Sequence, residues 1–228
     1  MAGFDDGEHA PARRVRRVGD ANHVTPHARS AYIAALLTHL EVVGFRGAPR
    51  WLGRSVDGDD VFTFIEGAVL EHAPYNLAED QLTAAAVLIR EFHDAAAGSS
   101  LCEGAETVCH GDLGPHNTVF HRGRPVALID WDADVRPGRR SVDFADAVWS
   151  FTDLTNDDVA VAEQVRRVTV MCAAYPTMTP GRVVSELRDQ FMRARSRHRA
   201  AQRLGPMAVF DGLLAWIARH GPLLTADR

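Results

Sequence analysis

Residues 108–134 read VCHGDLGPHNTVFHRGRPVALIDWDAD, and three polar side chains stand out among short apolar runs. Asp112 and Asn117 lie five residues apart in one loop, and Asp130 follows the apolar run PVALI. The segments TVCHGD, NTVFH and PVALIDW are too short for helices and rich in β-branched residues, so we expect three strands. A loop and a following strand end can direct all three polar side chains into one cleft.

Asp112, Asn117 and Asp130 together suit the transfer of a phosphoryl group. Carboxylate and amide oxygens are ligands that Mg²⁺ prefers in proteins. Phosphoryl transfer needs a cation at the phosphates and a group that orients the attacking hydroxyl, with little covalent work by the protein. The order acid, amide, acid is also that of the catalytic residues of protein kinases. The stretch therefore predicts a magnesium-dependent phosphoryl-transfer site.

The residues before this stretch predict a small set of strands and one helix. VRRV at 15–18 is a candidate strand, and the turn-like GDAN follows it. Thr25-Pro26 predicts a helix start, and Gly44 a helix end. APRWLG and VFTFI predict a hairpin around Asp57-Gly58.

The rest of the chain predicts mainly helices. Apolar residues recur at helical spacing over 78–97, before the opening stretch. After Thr155 we expect only helices. The first has Asp157 and Asp158 in its first turn, another starts at Thr179-Pro180, and the last ends near Gly221.

The composition of the chain argues against several classes of protein. The chain has 228 residues, 46% hydrophobic, and a formal charge of −5, which argues against a general nucleic-acid binder. No apolar run approaches the roughly 20 residues of a membrane helix. The first residues lack the apolar segment of a secretory signal, so we predict a cytoplasmic protein. Three cysteines without metal-ligand spacing predict reduced thiols.

The motif HGDLGPHN at 110–117, followed by LIDWDAD at 128–134, resembles the signature of the aminoglycoside phosphotransferase and choline kinase-like family. The resemblance extends from about Thr25 to Leu154 through HLEVVGFRGAPRWLG, FIEG, IREFHDA and SVDFADAVW. It implies an α+β, protein-kinase-like, two-lobe fold. The expected lobes are a reduced N-terminal nucleotide-binding lobe of strands and a helix, residues 1–67, and a larger, mainly helical catalytic and acceptor-binding lobe, residues 68–228.

The resemblance also implies roles for individual residues. Asp112 is the expected catalytic base, and Asn117 and Asp130 are the expected Mg²⁺ ligands. His110 is expected to brace the catalytic loop, and Asp143 to hydrogen-bond that loop from a helix start. The segment FTFIEG is expected to hold the nucleotide base through Phe64, Ile65 and Glu66. The candidates for supporting the loop or contacting substrate are Asp132, Asp134 and His116.

The group that anchors the nucleotide phosphates is left open, because the chain contains no lysine. Arg16 and Arg17 are the first candidates, since arginine can bind phosphate through two parallel N–H groups. An alternative alignment of RVGD places Asn22 or His23 at the anchor position. Only about 15 residues precede VRRV, too few for the usual strands and glycine-rich loop. Either the sequence begins late or the lobe is reduced.

The resulting expectation is ATP-dependent, or less favoured GTP-dependent, phosphorylation of a hydroxyl on a small molecule, with Mg²⁺. The acceptor is expected to resemble an aminoglycoside or an amino alcohol, with a macrolide still open. A cationic acceptor would suit the acidic residues Asp132, Asp134, Asp153, Asp157 and Asp158. One alternative is a weakly active or inactive kinase-like module that binds nucleotide or a partner. Another is a metal-dependent hydrolase, disfavoured because few histidines surround the site. We expect no nucleic-acid or membrane partner.

Overall fold

A computed structural model describes residues 14–201 and 203–225, which form six α-helices and eight β-strands. The helices are α1 Ser30–Val42, α2 Glu79–Ala96, α3 Arg140–Phe151, α4 Val161–Ala174, α5 Pro180–Ala200 and α6 Leu204–Thr225. The strands are β1 Val15–Val18, β2 Ala21–Val24, β3 Trp51–Arg54, β4 Asp60–Thr63, β5 Thr107–Cys109, β6 Thr118–His121, β7 Arg124–Leu128 and β8 Arg136–Gly138. Within the described ranges, no helix is both long and apolar enough to cross a membrane.

Strands β1 to β4 form one antiparallel sheet in the order β1-β2-β4-β3. The predicted strand at 15–18 is confirmed as β1. The predicted hairpin is confirmed as β3 and β4, which turn at Asp57-Gly58, where Gly58 has a φ of 90°. A second hairpin joins β1 to β2 through Gly19, with a φ of 59°. Glycine tolerates this left-handed backbone without a Cβ penalty.

Strand β2 was expected to be a turn, and its presence moves the start of the first helix. Residues Ala21–Val24 pair with β1 on one side and β4 on the other. Thr25 extends this pairing by donating its N–H to the carbonyl of Arg14 at 3.2 Å. The predicted helix start at Thr25-Pro26 is therefore wrong, because these residues close the strand. Helix α1 begins at Ser30, whose hydroxyl accepts a hydrogen bond from His27 N at 2.9 Å.

The chain separates into two compact units. The first contains the described residues up to His72 together with Leu88–Arg140. Its core contains Leu36, Leu37 and Leu40 of α1, all fully buried. The ring of Phe92 in α2 meets the edge of Trp131 at 5.1 Å between ring centroids. The division into lobes at residue 67 stays a prediction.

The second unit contains Ala73–Val87 and the described residues from Ser141 onward. Thr179 begins α5 as predicted, since its hydroxyl accepts a hydrogen bond from Arg182 N at 3.2 Å. The expected helix end near Gly221 is wrong, because α6 continues to Thr225. A Cβ at Gly221 would lie 3.4 Å from Val184 Cγ1 of α5, an ordinary van der Waals distance, so α6 packs against α5 at this position. Asp157 and Asp158 lie in a turn before α4 rather than in its first turn.

Candidate active site

The predicted site residues stand beside the ends of four strands of the first unit. Strand β5 ends at Cys109, directly before His110, and β6 begins at Thr118, directly after Asn117. Strand β7 ends two residues before Asp130. Strands β5 and β8 pair with each other, and β6 pairs with β7. These two ladders fix the backbone on both sides of each loop that carries a polar side chain.

Asn117 holds the carboxylate of Asp112 in place. Its Nδ2 donates to Asp112 Oδ2 at 2.8 Å and to the Asp112 carbonyl at 2.9 Å. The side chain of Asn117 is almost fully buried, whereas about a third of the Asp112 side chain is exposed, at 32%. With its amide nitrogen directed at Asp112, Asn117 presents its amide oxygen as the atom suited to a cation.

His116 is the second neighbour of the Asp112 carboxylate. Its Nε2 lies 3.4 Å from Asp112 Oδ1, within reach of a long hydrogen bond. Burial raises the pKa of Asp112, but the hydrogen bond from His116, the charges of His116 and His110, and the bond from Asn117 outweigh burial and hold the pKa below its ordinary value. Asp112 is therefore ionised at neutral pH, as a group that accepts a hydroxyl hydrogen must be.

His110 joins the catalytic loop to the segment that carries Asp130. Its Nε2 is 2.9 Å from the carbonyl of Ile129, and Ile129 N donates to the Asn117 carbonyl at 2.9 Å. The His110 ring also packs against Trp131, with centroids 4.6 Å apart. Both the N–H and the carbonyl of Ile129 are thus hydrogen-bonded to residues of the catalytic loop, Asn117 and His110.

Asp130 has an unusual backbone and an exposed side chain. Its φ is 62°, in the left-handed region that non-glycine residues seldom adopt. Residues held in this region cluster at functional sites. Asp130 directly follows Ile129, whose N–H donates to the carbonyl of Asn117. The backbone segments of the two predicted magnesium ligands are therefore next to each other.

Gly111 has no predicted role, although its backbone conformation and its neighbours require glycine. Its φ is 87°, and a Cβ there would lie 2.5 Å from the carbonyl oxygen of Asp134 and 2.9 Å from Arg136 Nη1. A glycine directly between His110 and Asp112 was the signal that could have indicated this close approach. The catalytic loop therefore rests against the segment after β7.

We expect Gly111→Ala to destabilise the protein by about 1–3 kcal/mol through overpacking, in addition to backbone strain. Because the displaced atoms adjoin Asp112, turnover should fall as well. Gly104→Ala is the matched control, since its φ of 86° is the same but a Cβ there would meet no described atom within 4 Å. Urea unfolding of both variants measures the difference, and equal losses would show that the close contact has no effect.

Asp132 and Asp134 follow Asp130 in a tight turn. Asp134 N donates to Asp132 Oδ1 at 3.2 Å, and Arg136 Nη1 donates to the Asp134 carbonyl at 2.7 Å. Desolvation raises the pKa of Asp134, as do the charges of Asp132 and Asp112, against the lowering effect of Arg136 and His110. Asp134 thus lies within the electrostatic reach of Asp112, and its contact with substrate stays a prediction.

The segment after β4 is connected to the catalytic loop. Ala68 exchanges two hydrogen bonds with Phe120, at 2.8 and 3.0 Å, and Leu70 N donates to the Pro115 carbonyl at 3.2 Å. A Cβ at Gly67 would lie 2.5 Å from the Phe120 carbonyl oxygen. These contacts place Phe64, Ile65 and Glu66 immediately before a segment bonded to the loop that carries Asn117. Their contact with the nucleotide base stays a prediction.

The candidate phosphate anchors lie in β1 and β2. Arg17 stacks its guanidinium on the Phe64 ring, 3.5 Å from the ring centroid, and donates Nε to the Gly19 carbonyl at 3.0 Å. Arg16 is 3.9 Å from Asp59. Strand β1 is an exposed edge strand, whereas Asn22 and His23 lie in the central strand β2. The structure leaves all four as candidates.

Two further acidic residues lie in the second unit. Asp143 is buried in the first turn of α3, as expected for a helix start, and its bracing role stays a prediction. Asp153 was grouped with acidic residues that suit a cationic acceptor, but its side chain is fully buried and lies 2.6 Å from Arg167 Nη1. Asp153 is therefore excluded as a direct contact of an acceptor.

Asn117 and Asp130 fit a magnesium ion that relies on phosphate oxygens for its other ligands. No group of three or more His, Cys, Asp or Glu side chains among the described residues is arranged to hold a metal. Mg²⁺ commonly binds through one or two protein oxygens together with substrate phosphates. The exposed carboxylate of Asp130 and the amide oxygen of Asn117 match that type of donor set.

Comparisons with known proteins agree on the family. A model of the phosphotransferase enzyme family matches residues 64–180. The chain is 33% identical over 157 residues to the trifolitoxin immunity protein of Rhizobium leguminosarum bv. trifolii. That match covers 62% of this chain and 59% of the relative, so the chain spans less than two thirds of the relative's length.

Solved structures show the fold. A macrolide 2'-phosphotransferase from Brachybacterium faecium superposes with a TM-score of 0.58 at 12% identity, covering 95% of this chain and 92% of that one. A choline/ethanolamine kinase family protein from Mesorhizobium loti gives 0.55 at 14% identity, covering 91% and 86%. The predicted α+β, kinase-like fold is confirmed. The family model matches more than half of the chain, in a range that includes Asp112. The chain therefore belongs to the phosphotransferase enzyme family.

Proposed function

We propose that this protein transfers the γ-phosphate of ATP to a hydroxyl group of a small molecule, with Mg²⁺ as cofactor. The observation that carries the proposal is the hydrogen bonding of Asn117, whose Nδ2 holds the Asp112 carboxylate at 2.8 Å and leaves the amide oxygen as the atom suited to a cation. Family membership and the nucleotide-bound state of one similar structure, an aminoglycoside phosphotransferase with ADP and streptomycin, support it.

The proposed reaction gives each residue a defined task. The Asp112 carboxylate accepts a hydrogen bond from the acceptor hydroxyl and takes its proton as the oxygen bonds to the γ-phosphorus, while the bond from phosphorus to the bridging oxygen of ADP breaks. Asn117 and Asp130 would hold Mg²⁺, which neutralises charge on the β- and γ-phosphates. His110 keeps Ile129, and hence Asp130, in place.

The acceptor is proposed to be a small molecule of the aminoglycoside or amino-alcohol type. Asp132 and Asp134 offer negative charge near Asp112, which suits an ammonium group on the acceptor. A macrolide remains a third option because a similar structure is a macrolide phosphotransferase. The curated relative is named for immunity to trifolitoxin, so that toxin is a fourth. We propose a cytoplasmic site of action.

A nucleotide-consumption screen tests the proposal directly. Purified protein with Mg²⁺ and ATP, or GTP, is incubated with aminoglycosides, amino alcohols, macrolides, nucleosides and trifolitoxin, and ADP or GDP release is compared with a reaction that lacks an acceptor. We expect acceptor-dependent ADP release with one class. Release of inorganic phosphate from an ester without any nucleotide would instead support the hydrolase reading.

The second candidate function is a kinase-like module that binds nucleotide without transferring phosphate. The lysine-free sequence favours it, because the phosphate anchor is then an arginine, a histidine or an asparagine, or is missing. Thermal unfolding with and without Mg²⁺-ATP separates the two candidates. A ligand-dependent increase in Tm without turnover on the whole panel supports the module, whereas the absence of both argues against either nucleotide-dependent function.

A further inference from the structure

Arg29 lies directly before α1 and takes no part in the site described above. Its carbonyl accepts the N–H of Ile33 at 3.0 Å, and its own N–H donates to His27 Nδ1 at 3.4 Å. The guanidinium carbon lies 4.5 Å from the centroid of the Tyr32 ring. The flat face of the cation therefore rests on an aromatic ring, and its N–H groups project from the edge.

Tyr32 is a fixed support for this cation. Its hydroxyl donates to the Leu101 carbonyl at 2.7 Å. Burial raises the pKa of Tyr32 to about 12 against the lowering effect of the Arg29 charge, so the phenol stays protonated at neutral pH. A held ring restricts the guanidinium to one orientation, which reduces the entropy lost when a ligand binds.

The edge of Arg29 formed by Nε and Nη2 is buried and has no hydrogen-bond partner among the described residues. These two nitrogens lie on one side of the guanidinium and present parallel N–H groups. Buried charged donors without acceptors are costly, because they have given up their hydrogen bonds to water. An acceptor from outside the described residues would remove that cost.

We propose that the Nε and Nη2 edge of Arg29 binds a small oxyanion, a phosphate or carboxylate group with two adjacent oxygens. The fork of arginine matches such a pair of oxygens, whereas a lysine ammonium would not. The site goes beyond the proposed phosphoryl transfer, because Arg29 has no role in it. Glu103 is an acidic residue whose charge acts on Tyr32, the ring beneath Arg29. Glu103 is exposed and forms no ion pair with Arg29 in the described structure.

Arginine side-chain NMR tests the site without any measurement of turnover. The Nε–H signal of Arg29 is identified by its loss in Arg29→Gln, and inorganic phosphate is added against sodium chloride of equal ionic strength. We expect a saturable shift of this signal and of the backbone amides at the start of α1. In Arg29→Lys, which keeps the charge but loses the fork, the Kd from those amides should rise at least about tenfold.

Two further arms identify the source of the oxyanion. Acetate tests a carboxylate source. A non-hydrolysable ATP analogue with Mg²⁺ tests a nucleotide source, because it will displace inorganic phosphate from Arg29 only if the edge belongs to the nucleotide site. If the analogue displaces inorganic phosphate, the nucleotide phosphates are the natural occupant of the Arg29 edge. If phosphate and the analogue bind simultaneously, Arg29 forms a separate anion site. Both results support oxyanion binding at Arg29.

The matched control is Arg46→Gln, which removes an exposed arginine from the same unit. It should leave the phosphate Kd unchanged. No saturable Arg29 shift up to about 50 mM phosphate would overturn the proposal, since weaker binding would not occupy the site under ordinary conditions. So would a change of the Arg29 signal in Glu103→Gln without added anion, because Glu103 would then already occupy the edge.

Discussion

Replacing Asp112 with asparagine is expected to lower kcat by about 10²–10⁴-fold, the usual contribution of a positioned general base. The variant keeps the shape of the side chain and one carbonyl-type oxygen for Asn117 Nδ2, which donates to the carboxylate at 2.8 Å. It loses the negative charge that receives the hydroxyl proton. Nucleotide affinity should change little, since Asn117 and Asp130 are the proposed magnesium ligands. Steady-state ADP release with the acceptor found in the screen measures kcat and KM.

Asp57→Asn is the matched control for this substitution. Asp57 is an exposed residue of the β3–β4 turn in the same unit, and asparagine before glycine suits such a turn. Its kcat should equal that of the unchanged protein. Urea unfolding of both variants checks that the Asp112 variant is folded. Full phosphorylation by a folded Asp112→Asn protein would remove Asp112 from the reaction.

The sequence predicted those elements whose signals are local. Alternation and β-branched residues identified β3, β4 and the strands around the catalytic loop, and Thr179-Pro180 identified the start of α5. Strands β2 and β8 were missed because each pairs with a strand distant in sequence, β2 with β4 and β8 with β5. ANHV has little strand character, yet it is bonded to β1 and β4, and RPG at 136–138 pairs with β5. Tertiary pairing overrides local propensity in such segments.

The part of the candidate site that could be predicted from the sequence is the part formed by residues close together in the chain. The spacing of Asp112 and Asn117 predicted their proximity, and a hydrogen bond of 2.8 Å joins them. The spacing could not show that Gly111 lies against Asp134, or that Arg17 stacks on Phe64, because each contact depends on how separate segments meet. The role of Asp153 was misjudged for the same reason, since an aspartate in a polar turn carries no local sign of burial.

Asp153 lies in a buried network of the second unit. Its two carboxylate oxygens share the single backbone N–H of Tyr75, at 3.0 and 3.1 Å, and Arg167 Nη1 donates to Oδ2 at 2.6 Å. Arg167 also donates to Glu163 Oε1 at 2.9 Å and to Asn76 Oδ1 at 3.2 Å. Only 5% of the Arg167 side chain and none of the Asp153 side chain is exposed. The network joins the loop after Ala73 to α4 and to the turn that follows α3.

Replacing Asp153 with asparagine is expected to lower the free energy of unfolding by about 1–3 kcal/mol, because the buried Arg167 then keeps only the partly exposed Glu163 carboxylate as a charged partner. The matched control is Asp189→Asn, whose carboxylate lies 3.8 Å from Arg188 with both side chains about half exposed, at 58% and 48%. Exposed pairs contribute about 0–1 kcal/mol, so this control should remain close to the unchanged protein. Urea unfolding, with the slope m compared among variants, measures both.

The double variant Asp153→Asn with Arg167→Met separates the cost of an unpaired charge from the loss of the other contacts. Methionine removes the charge and retains much of the apolar stem, so the double variant should be more stable than Asp153→Asn alone. If the two were equally destabilised, the loss would come from the Tyr75 N–H bonds rather than from Arg167. If Asp153→Asn lost no more than Asp189→Asn, the buried pair would make no net contribution to stability.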